Sequence, residues 1–325
     1  MENEWKVREE ICHIGRLLHE RGYVAANDGN ISVRIGKGRY LCTPTGVAKG
    51  FMKPADLALV DDAGKQLSGP KPRTSEILLH LEIYQALPGI NAVVHAHPPH
   101  ATAFAVAGVS VPNAVLPEVE IFIGEVPIAQ YDTPGSKTFA QTILPHLRNK
   151  ANTILLANHG AVACDKSLEQ AYFHLETLDH YCRILLLARD LGRVQQLSPD
   201  KMRDLLAIKK RMGIDDSRFG HESDAAVLIG SDEFLRGFSR RAIAQHQSDP
   251  NGAGRGQGIA GAPSQAGQPQ PAPPRGVAAG GISRPVRPAG MGSSSRTARQ
   301  RTFDDEVERL TQVITDQIVE SFSKA

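Results

Sequence analysis

Apolar and polar residues follow two different periods in the first 215 residues of the chain. Apolar residues every three to four positions predict amphipathic helices, whereas alternation, or a short apolar run bounded by turn residues, predicts strands. The predicted helices are "EICHIGRLLHERG", "TSEILLHLEIYQAL", "SKTFAQTILPHLR" and "SLEQAYFHLETLDHYCRILLLARDLG". The predicted strands are the two arms of "ISVRIGKGRYLCT", then "DLALVDD", "NAVVHAH", "EVPIAQY", "NTILLANHG" and "AVAC". Strands interspersed with helices predict an α/β fold built in layers.

The pattern changes after about Gln247. Residues 248–301 are dominated by Gly, Pro, Ala, Ser and Gln, which cannot bury enough apolar surface to offset the entropy cost of ordering, so a flexible linker is predicted. Residues 302–325 regain apolar positions at three- and four-residue steps, which predicts a short amphipathic helix. Residues 216–247 contain a further short helical pattern without an evident role. The predicted organisation is therefore 1–215, 216–247, 248–301 and 302–325.

The C-terminal helix has two possible docking sites: its own domain or a partner. A helix that belongs to its own core rarely needs so long a structureless tether, which favours a partner surface. Its apolar side would present Val307, Leu310, Ile314 and Ile318. Its polar side is acidic, which disfavours binding to anionic lipid.

Composition limits the partners of the chain. The 325 residues include 37 Lys and Arg against 35 Asp and Glu, so no overall charge favours nucleic acid or an anionic membrane. The four cysteines are scattered without C-x-x-C spacing, which is typical of reduced thiols in a cytoplasmic protein. The charged first segment lacks the apolar run of a signal peptide, and nowhere do about eighteen apolar residues follow one another. We expect a cytoplasmic protein that binds neither membrane nor nucleic acid.

Histidines collect at the ends of two predicted strands. In "NAVVHAH" the side chains of His95 and His97 are two residues apart and should project from one face, while Ala96 turns to the core. Such a pair is more often exposed or satisfied in a core than bound to a metal. His159 ends the strand "NTILLANHG" and gives a third imidazole. Three histidines with one open position make up the ligand count of a catalytic zinc site.

A carboxylate suitable for acid–base chemistry lies at the start of a predicted helix. Glu76 follows Thr74 and Ser75, either of which could be the N-cap, and so falls in the first turn. Glu76 could equally serve only to cap the helix and to interact favourably with its dipole. The sequence alone leaves both roles open.

Three turn segments are rich in small polar residues: "NDGNIS", "TPTG" and "RTSE". Backbone N–H groups at such turns, together with hydroxyl and amide donors and a helix N-terminus, suit a phosphate group. Each segment taken singly is as well explained as an ordinary turn. Their presence together beside a candidate metal site favours a phosphorylated substrate.

Taken together, the motifs "GNISVR", "TPTG", "TSE", "NAVVHAH", "VPIAQYDTPGS" and "ANHGAVA" resemble the class II aldolase/adducin family, in particular its L-fuculose-1-phosphate aldolase branch. The resemblance covers about residues 4–215. It implies a three-layer α/β/α sandwich around a mainly antiparallel sheet, assembled as a homotetramer with active sites between subunits.

The resemblance also implies roles for individual residues. His95, His97 and His159 match the ligands of one Zn²⁺ per subunit, and Glu76 matches the acid–base carboxylate. The phosphate-binding positions are matched by Asn30, Thr45, Gly46, Thr74 and Ser75. Similar aldolases use a tyrosine of the neighbouring subunit shortly after the H-x-H strand, where this chain has Leu116. The second proton donor is therefore open among Tyr131, Glu118 and Glu120.

The activity implied by the resemblance is zinc-dependent aldol cleavage. The substrate would be L-fuculose or L-rhamnulose 1-phosphate, and the products dihydroxyacetone phosphate and L-lactaldehyde, formed through a metal-stabilised enediolate. Three alternatives share the fold: a pentulose-5-phosphate 4-epimerase, a methylthioribulose-phosphate dehydratase and a non-catalytic adducin-like binding module.

The terminal helix on its tether resembles the encapsulation peptides that direct enzymes into bacterial microcompartments. That resemblance implies a shell protein or a fellow cargo enzyme as the partner of residues 302–325. It also implies a location inside such a compartment, and some of these compartments process fucose and rhamnose.

Overall fold

The computed structural model describes residues 4–230 and 233–235, and within these ranges the chain forms eight strands and nine α-helices. The strands are β1 (Asn30–Gly36), β2 (Arg39–Cys42), β3 (Ala58–Val60), β4 (Gln66–Ser68), β5 (Ala92–Ala96), β6 (Ile128–Ala129), β7 (Thr153–Leu156) and β8 (Gly160–Asp165). The helices are α1 (Glu4–Glu20), α2 (Ile77–Ala86), α3 (Pro99–Ala107), α4 (Pro117–Phe122), α5 (Lys137–Gln141), α6 (Leu144–Arg148), α7 (Leu168–Asp190), α8 (Pro199–Arg211) and α9 (Ala225–Ile229).

All eight strands belong to one sheet, in the order β4-β3-β2-β1-β5-β8-β7-β6. Every neighbouring pair is antiparallel except β6 with β7. The predicted hairpin is present, since β1 pairs with β2 across a tight turn. The mainly antiparallel sheet is thus confirmed, and β5 lies near its centre between β1 and β8.

Alternate residues of the central strands pack into two separate cores. On β5, Ala92 and Val94 join a core with α1, α3 and α7, whereas Val93 joins a core with α2, α5 and α6. A sheet that buries both faces needs a helical layer on each side, so the three-layer α/β/α sandwich is confirmed. All four cysteines are free and lie in these cores, and burial raises the pKa of the Cys42 thiol to about 12.

Some elements differ from the sequence-based expectation. The single helix predicted for "SKTFAQTILPHLR" is wrong, because the structure forms the two short helices α5 and α6, and Pro145 lies in the first turn of the second. The two prolines after His97 end β5 as expected, but Pro99 also begins α3, a helix that was not predicted. The elements β4, α4 and the 13-residue α8 were not predicted either, and α9 lies within the extension 216–247 for which a short helical pattern was predicted.

A buried group of charged side chains crosses residue 215, the end of the predicted first domain. Arg218 is 1% exposed and pairs with Glu120 at 2.6 Å and with Asp216 at 2.8 Å. Lys209 pairs with Asp216 at 2.7 Å. These ion pairs connect residues just past 215 to α4 and α8. Removing one partner of the cluster would leave a buried charge uncompensated. The division at 215 itself stays a prediction.

Several sequence-based predictions lie outside the described residues. These are the linker 248–301, the amphipathic helix 302–325 and, within the extension 216–247, positions 231–232 and 236–247. Within the ranges that are described, no helix combines the length and the apolar character that a bilayer crossing requires.

Candidate metal centre and phosphate cavity

Strand β5 positions the first two histidines of the candidate site. His95 is the fourth residue of β5 and His97 follows the strand end, while Ala96 between them lies in the core under α1, α3 and α7. Both histidines therefore face the α2 side of the sheet, as the period of two predicts. Opposite His95, the neighbouring strands place Asn30 on β1 and Val162 on β8.

The third histidine comes from the tight turn between β7 and β8. Asn158 adopts a left-handed conformation with φ of 55°, and the His159 N–H donates to the Leu156 carbonyl at 3.0 Å. A Cβ at Gly160 would lie 2.5 Å from Cδ2 of His97 and 2.6 Å from the Ala96 carbonyl oxygen. Only glycine lets this turn approach the end of β5 closely enough to bring His159 beside the other two rings.

The three imidazoles converge. Nε2 of His95 lies 3.3 Å from Nε2 of His97, and one ring nitrogen from each of the three histidines lies within 4.8 Å of the others. Nδ1 of His95 is 2.9 Å from the Ala161 carbonyl oxygen, which can only accept. Nδ1 therefore carries the proton, and Nε2 presents its lone pair to the other rings. Burial lowers the pKa of His95 well below its usual value, and the neighbouring His159 and His97 rings lower it further.

This arrangement fits a divalent metal ion. Zinc–imidazole bonds of about 2.0–2.1 Å in a tetrahedral site place two nitrogens about 3.3 Å apart, which is the separation found between His95 and His97. Among the residues that the structure describes, Nδ1 of His159 is buried and has no hydrogen-bond partner. Burial lowers the pKa of His159, an effect that Glu76 opposes and His97 reinforces. Three imidazole nitrogens around one point form a donor set that zinc binds.

Glu76 completes the cluster from the opposite side. Its Oε2 is 3.3 Å from Nε2 of His95 and its Oε1 is 3.5 Å from Nε2 of His159. The sequence placed Glu76 in the first helical turn behind a Thr74 or Ser75 cap; instead Glu76 is itself the N-cap of α2 and makes no side-chain cap hydrogen bond. Its carboxylate is turned towards the imidazoles and is therefore available for chemistry at the cluster.

Four of the five predicted phosphate-binding residues, Asn30, Thr45, Thr74 and Ser75, border a cavity of about 180 Å³ next to the histidines. Its lining comprises Asn27, Asp28, Gly29, Asn30, Pro44, Thr45, Lys49, Thr74, Ser75, Glu76, His97 and His159. Gly46 is not part of this lining, although its φ of 69° shapes the turn after Thr45. The cavity joins the histidine cluster to the predicted phosphate segments.

Some donors expected for a phosphate are already engaged. The Thr45 N–H donates to the Pro72 carbonyl at 2.9 Å, and the Thr74 N–H donates to the Thr43 carbonyl at 3.0 Å. The amide of Asn30 contacts Glu76 and His80. The predicted nest of free backbone amides is thus partly wrong, because these amides hold the two turn segments together.

Lys49 is a cavity residue that the sequence-based reasoning missed. It is 1% exposed, and its Nζ donates to the carbonyls of Asn27 and Val47, each at 2.8 Å. Burial lowers the pKa of Lys49 to about 8, whereas Asp28 and Glu76 oppose that shift. Lys49 therefore ties two turn segments together and places a positive charge beside the cavity. Its only sequence signal is a lysine between small residues, three positions after "TPTG".

None of the three candidate second proton donors lines the cavity formed by the described residues of this chain. Tyr131 is 60% exposed just after β6, and Glu118 is exposed on α4. Glu120 is buried in the ion pair with Arg218 and also accepts a hydrogen bond from the Ala114 N–H at 2.5 Å. Glu120 is therefore already neutralised by a partner 98 positions away in the sequence.

Comparison with known proteins identifies a family. Residues 9–186 match the model "Class II Aldolase and Adducin N-terminal domain". A 3-oxo-tetronate 4-phosphate decarboxylase of Cupriavidus necator is 37% identical over 194 residues, which is 58% of this chain and 88% of that protein. An L-fuculose phosphate aldolase of Methanococcus maripaludis is 36% identical over 183 residues, covering 56% of this chain and 96% of its own length.

Solved structures share the fold. YgbL from Escherichia coli matches with a TM-score of 0.58 and 33% identity, covering 62% of this chain and 98% of its own. An L-fuculose 1-phosphate aldolase matches with a TM-score of 0.58 and 28% identity, covering 63% of this chain and 96% of its own.

Proposed function

The chain belongs to the class II aldolase and adducin family, and from this premise we propose that it is a zinc-dependent lyase that releases dihydroxyacetone phosphate from a phosphorylated ketose or 3-oxo acid. One observation carries the proposal: the imidazoles of His95, His97 and His159 converge beside the carboxylate of Glu76. Three imidazole nitrogens with a carboxylate at the same cavity are the parts of a metal-assisted lyase rather than of a binding module.

Two substrates named by the relatives contain one common fragment. L-Fuculose 1-phosphate and 3-oxo-tetronate 4-phosphate each present a phosphate, a ketone and a carbinol carbon in a row. In each, the bond broken joins the carbinol carbon to the remainder of the molecule, and the electron pair stays on the carbinol carbon. That carbon then takes a proton, and dihydroxyacetone phosphate results in both cases.

Different residues of the site bind the metal ion, transfer the proton and bind the phosphate. His95, His97 and His159 would hold the metal ion, which when bound supplies Lewis-acid stabilisation of the charge that develops beside the ketone. Glu76 delivers the proton to the carbinol carbon, because it is the carboxylate that reaches the cluster. The hydroxyls of the cavity and the positive charge of Lys49 bind the phosphate and thereby fix which carbon faces Glu76.

The leaving fragment distinguishes two candidate reactions. An aldehyde can leave only if a base removes the proton of its hydroxyl, whereas carbon dioxide leaves without a proton transfer. Leu116 stands where similar aldolases have a tyrosine of the neighbouring subunit, and leucine cannot act as that base. The absence of this tyrosine supports a second candidate reaction, the decarboxylation of a 3-oxo acid phosphate. The first candidate remains cleavage of fuculose or rhamnulose 1-phosphate. Assembly as a homotetramer stays a prediction.

Product analysis tests the proposal. The zinc-loaded full chain is offered L-fuculose 1-phosphate, L-rhamnulose 1-phosphate, 3-oxo-tetronate 4-phosphate and a pentulose 5-phosphate, with metal-stripped protein as control. We expect dihydroxyacetone phosphate, detected with glycerol-phosphate dehydrogenase, from at least one of the first three and only with metal. Carbon dioxide release separates the two candidates. A product that is an epimer or a dehydrated sugar, or no turnover of any of the four, would overturn the proposal.

For the C-terminal segment we propose targeting to a bacterial microcompartment, which the amphipathic pattern of residues 302–325 supports. A fusion of these residues to a fluorescent protein is expected to form puncta in cells that make the shell and to stay diffuse in cells that do not. Replacing Leu310 and Ile314 by Glu should abolish the puncta, whereas Glu308→Gln on the polar side should keep them. Diffuse fluorescence of the unaltered fusion in shell-making cells would refute targeting.

A further inference from the structure

A fully buried histidine lies behind the catalytic carboxylate. His80 on α2 is 0% exposed, with Nε2 at 2.5 Å from Oδ1 of Asn30 and Nδ1 at 2.7 Å from Oγ of Ser32. Burial lowers the pKa of His80 to about 3, with a smaller effect from His95, so the ring is neutral. A neutral imidazole has one nitrogen that donates and one that accepts.

The neighbours of His80 decide which nitrogen carries the proton. Oδ1 of Asn30 can only accept, so Nε2 of His80 must donate and Nδ1 must accept from the hydroxyl of Ser32. The Tyr84 hydroxyl lies 2.8 Å from Oγ of Ser32 and donates to the Ser32 carbonyl oxygen at 2.9 Å. The Asn30 acceptor therefore sets the direction of both hydrogen bonds of the His80 ring. These bonds belong to a ladder of side chains that runs from Glu76 through Asn30, His80 and Ser32 to Tyr84.

The same logic fixes the amide of Asn30. With Oδ1 facing His80, Nδ2 faces Glu76 and donates to Oε2 at 2.6 Å. If the amide were turned over, Oδ1 would face the carboxylate and Nδ2 would face the donating Nε2, so both contacts would become repulsive. Independently of His80, the Glu76 carboxylate can only accept, so it requires Nδ2 of Asn30 on its own side and places Oδ1 against the Nε2–H of His80.

The ladder is built from two matching periods. Glu76, His80 and Tyr84 are four residues apart, which places them on one side of α2, and Asn30 and Ser32 are two apart on one face of β1. The surrounding face of α2 is packed with apolar residues, so burying the polar ring of His80 there costs desolvation free energy. The hydrogen bonds of the ring offset this cost.

We propose that His80 is a positioning residue: through Asn30 it holds the Glu76 carboxylate by Oε2 and leaves Oε1 to exchange the proton with substrate. The orientation rests on the geometry alone, and its catalytic consequence rests on the proposed function. Among the described residues, Oε1 has no hydrogen-bond donor at closer range than the 3.5 Å contact with His159, so it is the oxygen with free capacity. Loss of His80 should release the amide of Asn30 and with it the carboxylate.

The kinetic test compares His80→Leu with His80→Gln in the zinc-loaded full chain. We expect His80→Leu to lower kcat about 10–100-fold, the range typical for loss of a residue that orients a functional side chain without touching the metal. KM should change less than about threefold. His80→Gln offers an amide donor to Asn30 and should recover most of kcat. Glu82→Gln, on the same helix outside the ladder, should match the unaltered protein. Equal kcat in His80→Leu, or no recovery in His80→Gln, would overturn the proposal.

A second readout does not depend on activity. In metal-free protein labelled with ¹⁵N at histidine and asparagine, NMR should show His80 as the Nε2–H tautomer. The side-chain amide of Asn30 should carry the signature of a charge-assisted hydrogen bond that disappears in His80→Leu. The opposite tautomer, or an Asn30 resonance unmoved in His80→Leu, would overturn the positioning role. If both signatures are found but no substrate is cleaved, the proposed function fails while the positioning of Glu76 stands.

Discussion

Replacing Glu76 by Gln is expected to lower kcat at least about 10²-fold, the scale of a general acid–base group, while zinc stays bound. Gln has the shape of Glu and can still accept from Nδ2 of Asn30, so the change removes proton exchange and little else. The cleanest measurement is exchange of the carbinol-carbon proton of dihydroxyacetone phosphate with D₂O, followed by NMR. This half-reaction needs Glu76 but no leaving group, so it gives the same answer for an aldolase and for a decarboxylase.

The control for Glu76→Gln is Glu82→Gln, which removes a carboxylate from the same helix away from the cluster. Zinc content, measured on the same samples, should be equal in both variants. Proton exchange and turnover at the rate of the unaltered protein in Glu76→Gln would exclude Glu76 from the mechanism.

Replacing His159 by Ala is expected to abolish the metal site and with it the activity. Loss of a residue that only hydrogen-bonds to a metal ligand typically weakens metal binding about 10–100-fold. Loss of a direct ligand should weaken zinc binding by more than that. His159 is the suitable position because it lies in a turn, whereas His95 is fully buried in the sheet and its removal would also leave a cavity. The measurements are zinc stoichiometry after dialysis and turnover in the presence of excess zinc.

A matched histidine serves as the control for His159→Ala. His100 follows the same strand end, but its Nδ1 pairs with Asp179 of α7 at 2.9 Å and it takes no part in the three-histidine cluster. His100→Ala should keep full zinc occupancy. Equal zinc binding by His159→Ala and the unaltered protein would exclude His159 as a ligand.

Local patterns were sufficient for most strands of the sheet and for the direction of two histidines. Alternation along "NAVVHAH" put His95 and His97 on one face, and the structure has them there because a strand reverses its side chains at each residue. The approach of His159 could not be derived from its own strand. It depends on the close contact of Gly160 with the end of β5, which only the pairing of β5 with β8 creates.

Residues joined by long-range contacts were missed or misjudged. Glu120 looked available as a proton donor, but Arg218 neutralises it inside a buried cluster. Lys49 and His80 were missed because a buried lysine and a histidine in an apolar helix have ordinary sequence surroundings. Their roles come from partners on other elements, namely the carbonyls of two turns for Lys49 and the β1 side chains Asn30 and Ser32 for His80.

The most direct measurement is the position of the metal itself, obtained by anomalous diffraction at the zinc absorption edge from crystals of the zinc-loaded full chain. We predict one zinc ion per chain, about 2.0–2.1 Å from Nε2 of His95, His97 and His159, on the side of the cluster that faces Glu76. Zinc bound elsewhere, or no anomalous peak between these three rings at saturating zinc, would contradict the metal-dependent lyase.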